Sequence, residues 1–348
     1  MITTLFFISS GIFLGWSLGA NDAANLFGTA VGTKMVRFVT AAVIISIFVV
    51  LGAVISGSGA SHTLGALGDV NEIAGSFTVA LSAALTVFWM TKLGLPVSTS
   101  QAIVGAIIGW NFFAGVQTNT DVLTKIVSTW VSGPILSAVF AMIFYLIIKS
   151  ILQNTKIHLF RIDSYNRLAL IIVGAFGAYS LGANNIANVM GVFTSVSPFE
   201  PLNVFGLFTL TPVQQLFFLG GISISVGVFT YSKRVMMTVG KGIFKISPIA
   251  ALIVVLSSST VLFLFASEAL KNWLTFYGLP SFPLVPVSSS QAVVGAVLGI
   301  GIIKGGRNIN FTVLRNIGLG WVVTPLVSAL ISYISLFFMQ NVFMQSVH

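Results

Sequence analysis

The feature that most constrains this chain is a polar pattern written twice into otherwise apolar sequence. Gly19-Ala20-Asn21-Asp22-Ala23-Ala24-Asn25 returns as Gly182-Ala183-Asn184-Asn185-Ile186-Ala187-Asn188. A second pattern, Pro96-Val97-Ser98-Thr99-Ser100-Gln101-Ala102, returns as Pro286-Val287-Ser288-Ser289-Ser290-Gln291-Ala292. Unsatisfied amides and hydroxyls in such surroundings cost several kcal/mol, so a chain that keeps them twice in the same order has a use for them. The pairing marks a duplicated intramembrane binding site.

The surroundings are apolar enough to name the solvent. Hydrophobic residues make up 56% of the 348 and charged residues 7%, with a mean hydropathy of +1.03. That composition excludes a disordered chain and a soluble domain, and specifies a polytopic protein whose first partner is the lipid bilayer. The chain has no cysteine, so disulfides and thiolate metal sites are out. His62, His158 and His348 fall in expected loops or at the terminus, which gives no support to a histidine zinc site or proton relay.

A spanning helix needs about 20 mainly apolar residues, and about ten such stretches can be read. They lie at 2–33, 38–58, 73–91, 97–116 and 122–150, then 168–199, 213–232, 248–267, 286–303 and 316–338. The first and sixth exceed a single span and contain the Asn-rich motif, so each is expected to be a helix broken near mid-membrane. The fourth and ninth are short, and either fits half of a re-entrant hairpin.

Charge placement sets the expected orientation. With the N-terminus outside and alternate crossings, the inside loops collect Lys34, Arg37, Lys92, Lys149, Lys156, Arg161, Arg167, Lys233, Arg234, Lys241, Lys245, Lys304, Arg307 and Arg315. Only Lys125 and Lys271 remain outside, so the net charge of +9 reads as positive-inside topology and not as nucleic-acid binding. Five crossings per half is odd, so the second half enters the membrane inverted. The expected fold class is therefore an all-α polytopic membrane protein made of two inverted-topology repeats, with broken or re-entrant helices meeting near the midplane. Residues 1–150 form the first repeat, 151–167 a cytoplasmic linker and 168–348 the second repeat, with both termini on the extracytoplasmic side of the cell membrane. Residues 1–20 lack the basic start of a signal peptide, and cleavage there would destroy the first motif.

The Ser-rich motif has the chemistry of a helix start. Ser98-x-x-Gln101 and Ser288-x-x-Gln291 match the capping box, in which serine accepts from the third following amide and glutamine reaches back. A proline two residues earlier stops helix from running in from upstream. Each motif thus opens a helix inside the membrane, and a helix N-terminus carries roughly +0.5 charge and favours an anion. The Asn-rich motif calls for a different guest. A carboxylate at mid-membrane costs at least about 2.5 kcal/mol, and no lysine or arginine is expected at the depth of Asp22. Asp22 needs a cation or a proton, and Asn21, Asn25, Asn184, Asn185 and Asn188 add amide oxygens suited to a hard cation, with N–H groups able to reach an oxyanion.

These paired Gly-Ala-Asn-Asp and Pro-Val-Ser-(Ser/Thr)-Ser-Gln motifs resemble those of the inorganic phosphate transporter family of sodium- or proton-coupled symporters, over nearly the whole chain. The resemblance implies an inverted-repeat fold, extracellular termini, and phosphate and sodium sites drawn from both repeats. Distributed on this chain, the phosphate ligands are Asn25, Thr99, Ser100, Gln101, Asn188, Ser289, Ser290 and Gln291. The sodium ligands are Asn21, Asp22, Ser98, Asn184, Asn185 and Ser288. One departure stands out: the family often has aspartate in the second copy, where this chain has Asn185. Dibasic phosphate with ionised Asp22 carries about −3, which two sodium ions bring to about −1 and several helix N-termini offset. Cations are then required for anion binding, and that requirement is the expected coupling.

Rival readings come from other classes. A channel needs a continuous polar pore, and the polar residues cluster in two motifs instead. A cation antiporter would more naturally carry acidic residues in both repeats. An intramembrane hydrolase needs a base beside a serine, and no histidine accompanies either Ser cluster, so the chain is not read as an enzyme. Hydroxyls and helix ends bind sulfate as well as phosphate, and the resemblance decides for phosphate. No cofactor is expected beyond the coupling sodium ions, and a homodimer is compatible with the sequence.

Overall fold

The computed structural model describes residues 2–92, 97–155, 159–204, 206, 208–242, 247–305 and 311–348. Pro96, Lys156, His158, Lys245 and Arg307, used above, lie outside these residues. The first half runs α1 (Ile2–Asn21), α2 (Ala24–Gly32), α3 (Phe38–Ser56), α4 (Ser58–Gly68), α5 (Ile73–Lys92), α6 (Thr99–Ala114) and α7 (Thr120–Asn154). The second runs α8 (Leu159–Met190), a 3-10 turn at Gly191–Phe193, α9 (Pro212–Gly227), a π turn at Val228–Ser232, α10 (Lys233–Gly242), α11 (Pro248–Leu264), α12 (Glu268–Phe276), α13 (Ser289–Ile303) and α14 (Phe311–Asn341).

Among the described residues six helices are long and apolar enough to cross a membrane, or seven when α11 and α12, bent by 68° at their junction, count as one. The other three of the ten expected stretches are the long first one and the two short ones, and they take the forms expected of them. The first is split at Asp22–Ala23, and the helices α6 and α13 have only 16 and 15 residues because extended chain precedes each. The sixth stretch corrects the expectation: α8 runs unbroken through Gly182–Asn188 and tightens only at Gly191. Its asparagines reach their partners from a regular helix, because positions 184 and 188, and 185 and 188, share one face. A small antiparallel hairpin, β1 (Leu202–Val204) with β2 (Phe208–Leu210), also departs from the all-α expectation. It lies in the loop before α9, where Gly206 adopts a positive φ of 72° and its N–H donates to Asn203 Oδ1 at 2.9 Å.

The helices pack in matched sets across the two halves. α3 lies on α8 as α9 lies on α1; α6 lies on α14 as α13 lies on α7; α1 lies on α5 as α8 lies on α11. The closest approaches repeat residue by residue. A methyl group on Gly19 would meet the carbonyl oxygen of Ile224, and one on Gly182 that of Val49; Gly52 faces Tyr179 and Gly227 faces Trp16 in the same way. Gly105 and Gly109 face the carbonyls of Pro325 and Ala329, while Gly295 and Gly299 face those of Pro134 and Ala138. Glycine is what lets these backbones touch, which is how helices associate where lipid is as apolar as leucine.

Those partners belong to a third repeated pattern, which the polar motifs do not include. Trp130-Val131-x-x-Pro134-x-x-Ser137-Ala138 in α7 returns as Trp321-Val322-x-x-Pro325-x-x-Ser328-Ala329 in α14. Each proline withdraws the N–H that would bond the tryptophan carbonyl four residues earlier. Each also sets its own carbonyl against a glycine of the other half's Ser-motif helix. A methyl added at Gly105 or Gly295 must push these helices apart, and a cost of about 1 to 3 kcal/mol is expected. Heat unfolding of purified Gly105→Ala and Gly295→Ala should show melting points several degrees below the parent. Gly318→Ala, with nothing within 4 Å of the added carbon, should hold or raise it.

Candidate functional site

Both Ser motifs open helices as expected. Ser98 and Ser288 are extended N-caps, with φ −111° and ψ 115°, and φ −73° and ψ 115°. Each side chain accepts from the amide three residues on, Gln101 N and Gln291 N, at 3.3 Å. The reciprocal half of the box corrects the expectation: Gln101 Oε1 and Gln291 Oε1 are buried without a partner among the described residues. At α9, by contrast, Thr211 and Gln214 form the complete box. The motif glutamines thus leave their oxygens free, and a helix start with one amide capped still presents others.

The two helix starts meet at one acid. Asp22 sits in the break between α1 and α2, and its Oδ2 accepts from Ser289 Oγ at 2.9 Å and from Thr99 Oγ1 at 3.5 Å. Ser289 and Thr99 are the first residues of α13 and α6, so one carboxylate oxygen bridges helices from both halves. The break makes this reach available. After Leu18 O takes the Asp22 N–H at 2.8 Å, the ladder shortens, with Asn25 N donating to Asp22 O and Leu26 N to Ala23 O.

Around this acid the remaining motif residues close in. Asn188 Nδ2 donates to Ser100 Oγ at 2.9 Å and to Asn185 Oδ1 at 3.0 Å, joining α8 to α6. Ser290 Oγ donates to Val97 O at 3.1 Å and lies 3.1 Å from Ser288 Oγ, joining α13 to the chain before α6. Asn21 and Asn25 flank the break and are half-buried. Asn184 is placed differently: its Nδ2 donates to Val285 O at 3.1 Å and its Oδ1 accepts from Val287 N at 2.7 Å.

What remains unpaired is chemically selective. Asp22 Oδ1, Gln101 Oε1, Gln291 Oε1 and Asn188 Oδ1 are buried acceptors with no partner among the described residues, and Asn185 Nδ2 is a buried donor. Such groups cost about 1 to 3 kcal/mol each unless something binds them. Hard oxygens around one acidic group suit a cation such as sodium, while two helix starts and the serine hydroxyls suit a tetrahedral oxyanion. Among the described residues no cluster of three His, Cys, Asp or Glu exists, so carboxylates do not gather here to hold a divalent metal.

Fold and site together define a multi-pass membrane protein of the transporter class, with a buried polar centre drawn from both halves. The sequence profile of the Phosphate transporter family matches residues 18–165 and 159–332, and the chain belongs to that family. It is 27% identical over 399 residues to the "Putative phosphate permease" of Pyrococcus abyssi, covering 93% of this chain and 95% of that protein. A "Sulfate permease" of Bacillus subtilis is 29% identical over 331 residues, covering 93% and 84%. A solved structure titled "The sodium-dependent phosphate transporter" superposes with a TM-score of 0.78 at 23% identity, over 98% of this chain and 99% of that one.

Proposed function

We propose that the chain is a sodium-coupled symporter of inorganic phosphate that works by alternating access between two inverted repeats, residues 1–150 and 168–348, joined by a cytoplasmic linker at 151–167. The observation that carries this reading is the single carboxylate oxygen of Asp22 receiving hydroxyls from the starts of α6 and α13. Phosphate is held by Asn25, Thr99, Ser100, Gln101, Asn188, Ser289, Ser290 and Gln291, and sodium by Asn21, Asp22, Asn185, Ser98 and Ser288, with Asn184 left out of the expected set because Val285 O and Val287 N take its side chain. Neutralising Asp22 with cations admits the anion, and neither guest binds well alone. The matched packing of α3 on α8 with α9 on α1, and of α6 on α14 with α13 on α7, supports the inverted repeat. The placement of basic residues supports a position in the cell membrane with both termini outside.

Sulfate is the second reading, because the Bacillus subtilis relative carries that name and serine hydroxyls bind either oxyanion. Uptake of radiolabelled phosphate into proteoliposomes separates them. An inward sodium gradient should drive phosphate accumulation, a pH gradient alone should not, and a tenfold excess of sulfate (on the order of mM) should inhibit by less than half. Accumulation of sulfate in preference to phosphate would overturn the assignment.

A further inference from the structure

The chain leading into α13 is irregular and deeply buried, with Val285 and Val287 both 0% exposed. Backbone of this kind has no ladder to satisfy it, so each polar group must find its own partner. Here three elements supply them. Thr63 Oγ1 of α4 donates to Leu284 O at 2.5 Å, Val285 N donates to Phe265 O at 3.2 Å beyond the end of α11, and Asn184 of α8 takes both Val285 O and Val287 N. Pro286 lies between those two peptides and has no N–H of its own to satisfy. Asn184 therefore closes a bracket around the proline, and the next residue, Ser288, caps α13.

We infer that Asn184 and Thr63 are positioning residues that fix the height and tilt of the α13 start, and so aim Ser289, Ser290 and Gln291 at the oxyanion. This rests on the phosphate reading of the site. It takes Asn184, expected from the sequence as a sodium ligand, and gives both polar atoms of its amide a backbone task. The bracket also ties the halves together, since Thr63 belongs to the first and Leu284 to the second. α8 carries Asn185 and Asn188 on the helix that grips the strut, so a shift of α13 is felt by the asparagines that complete the site.

The test measures phosphate uptake and backbone exchange in the full-length protein in proteoliposomes. Asn184→Ala, which removes the bonds to both Val285 O and Val287 N, should raise the phosphate concentration for half-maximal uptake about tenfold, with the maximal rate within about threefold of the parent. Thr63→Val, which keeps the side chain's shape, should raise it by about threefold, and Thr63→Ser should restore it. Both weakened variants should speed hydrogen exchange at the amides of Val285 and Val287. That second readout needs no transport, so it tests the strut even if phosphate is not the substrate. Parental half-saturation and parental exchange in Asn184→Ala and Thr63→Val would overturn the proposal. So would a sodium half-saturation raised by Asn184→Ala with phosphate affinity unmoved by Thr63→Val, which would return Asn184 to the cation.

Discussion

Asp22→Asn is expected to cut sodium-driven phosphate uptake at least about a hundredfold, the loss of roughly 3 kcal/mol from a charge-assisted site. The geometry explains why the effect should fall on transport and not on folding. Oδ2 accepts from Ser289 and Thr99, and an amide oxygen can accept the same two hydroxyls, so the contact between the α6 and α13 starts survives. Oδ1 is buried and unpaired among the described residues; replacing it by an amide nitrogen turns an acceptor into a donor where a cation needs oxygen. Initial rates of radiolabelled uptake under an imposed sodium gradient, compared with melting temperature in detergent, separate the two effects. Parental uptake with parental sodium dependence would make Asp22 a structural link between helices and displace the cation site.

The components of this site were legible in the sequence, and their assembly was not. Ser98 and Ser288 announced helix starts because a cap acts over three residues, a range that spacing encodes. The break at Asp22–Ala23 was likewise local. The Asp22–Ser289 bond spans 267 positions and joins the two halves, and nothing in either motif alone says which carboxylate meets which serine. The same limit explains Asn184. It occupies the motif position of Asn21, yet its partners, Val285 and Val287, belong to irregular chain a hundred residues away. The expected second break failed for a similar reason, since Gly182–Asn188 satisfies its side chains without unwinding α8. The Trp-Val-x-x-Pro-x-x-Ser-Ala repeat was present in the sequence throughout. It carries no charged group and so does not stand out from its apolar surroundings, although Pro134 and Pro325 supply the carbonyls against which the Ser-motif helices pack.

Asn185→Asp adds a charge where Asp22→Asn removes one, and it should weaken phosphate uptake by a different route. The native Oδ1 accepts from Asn188 Nδ2 at 3.0 Å, and Nδ2 is buried without a partner among the described residues. A carboxylate keeps the first function and replaces the free donor with a second negative group in the site of Asp22. Two like charges in one poorly solvated site repel by about 2 to 4 kcal/mol, and an arriving dianion meets both. The phosphate concentration for half-maximal uptake is therefore expected to rise at least about tenfold at low sodium. A cation relieves the repulsion, so the deficit should shrink as sodium rises, and the dependence of uptake on sodium should steepen. Paired titrations of phosphate at low and high sodium check both effects. An affinity deficit that sodium does not repair would mean that Asn185 Nδ2 serves the phosphate directly as a donor. The asymmetry between the two motif copies would then set the oxyanion's orientation and not the number of cations that travel with it.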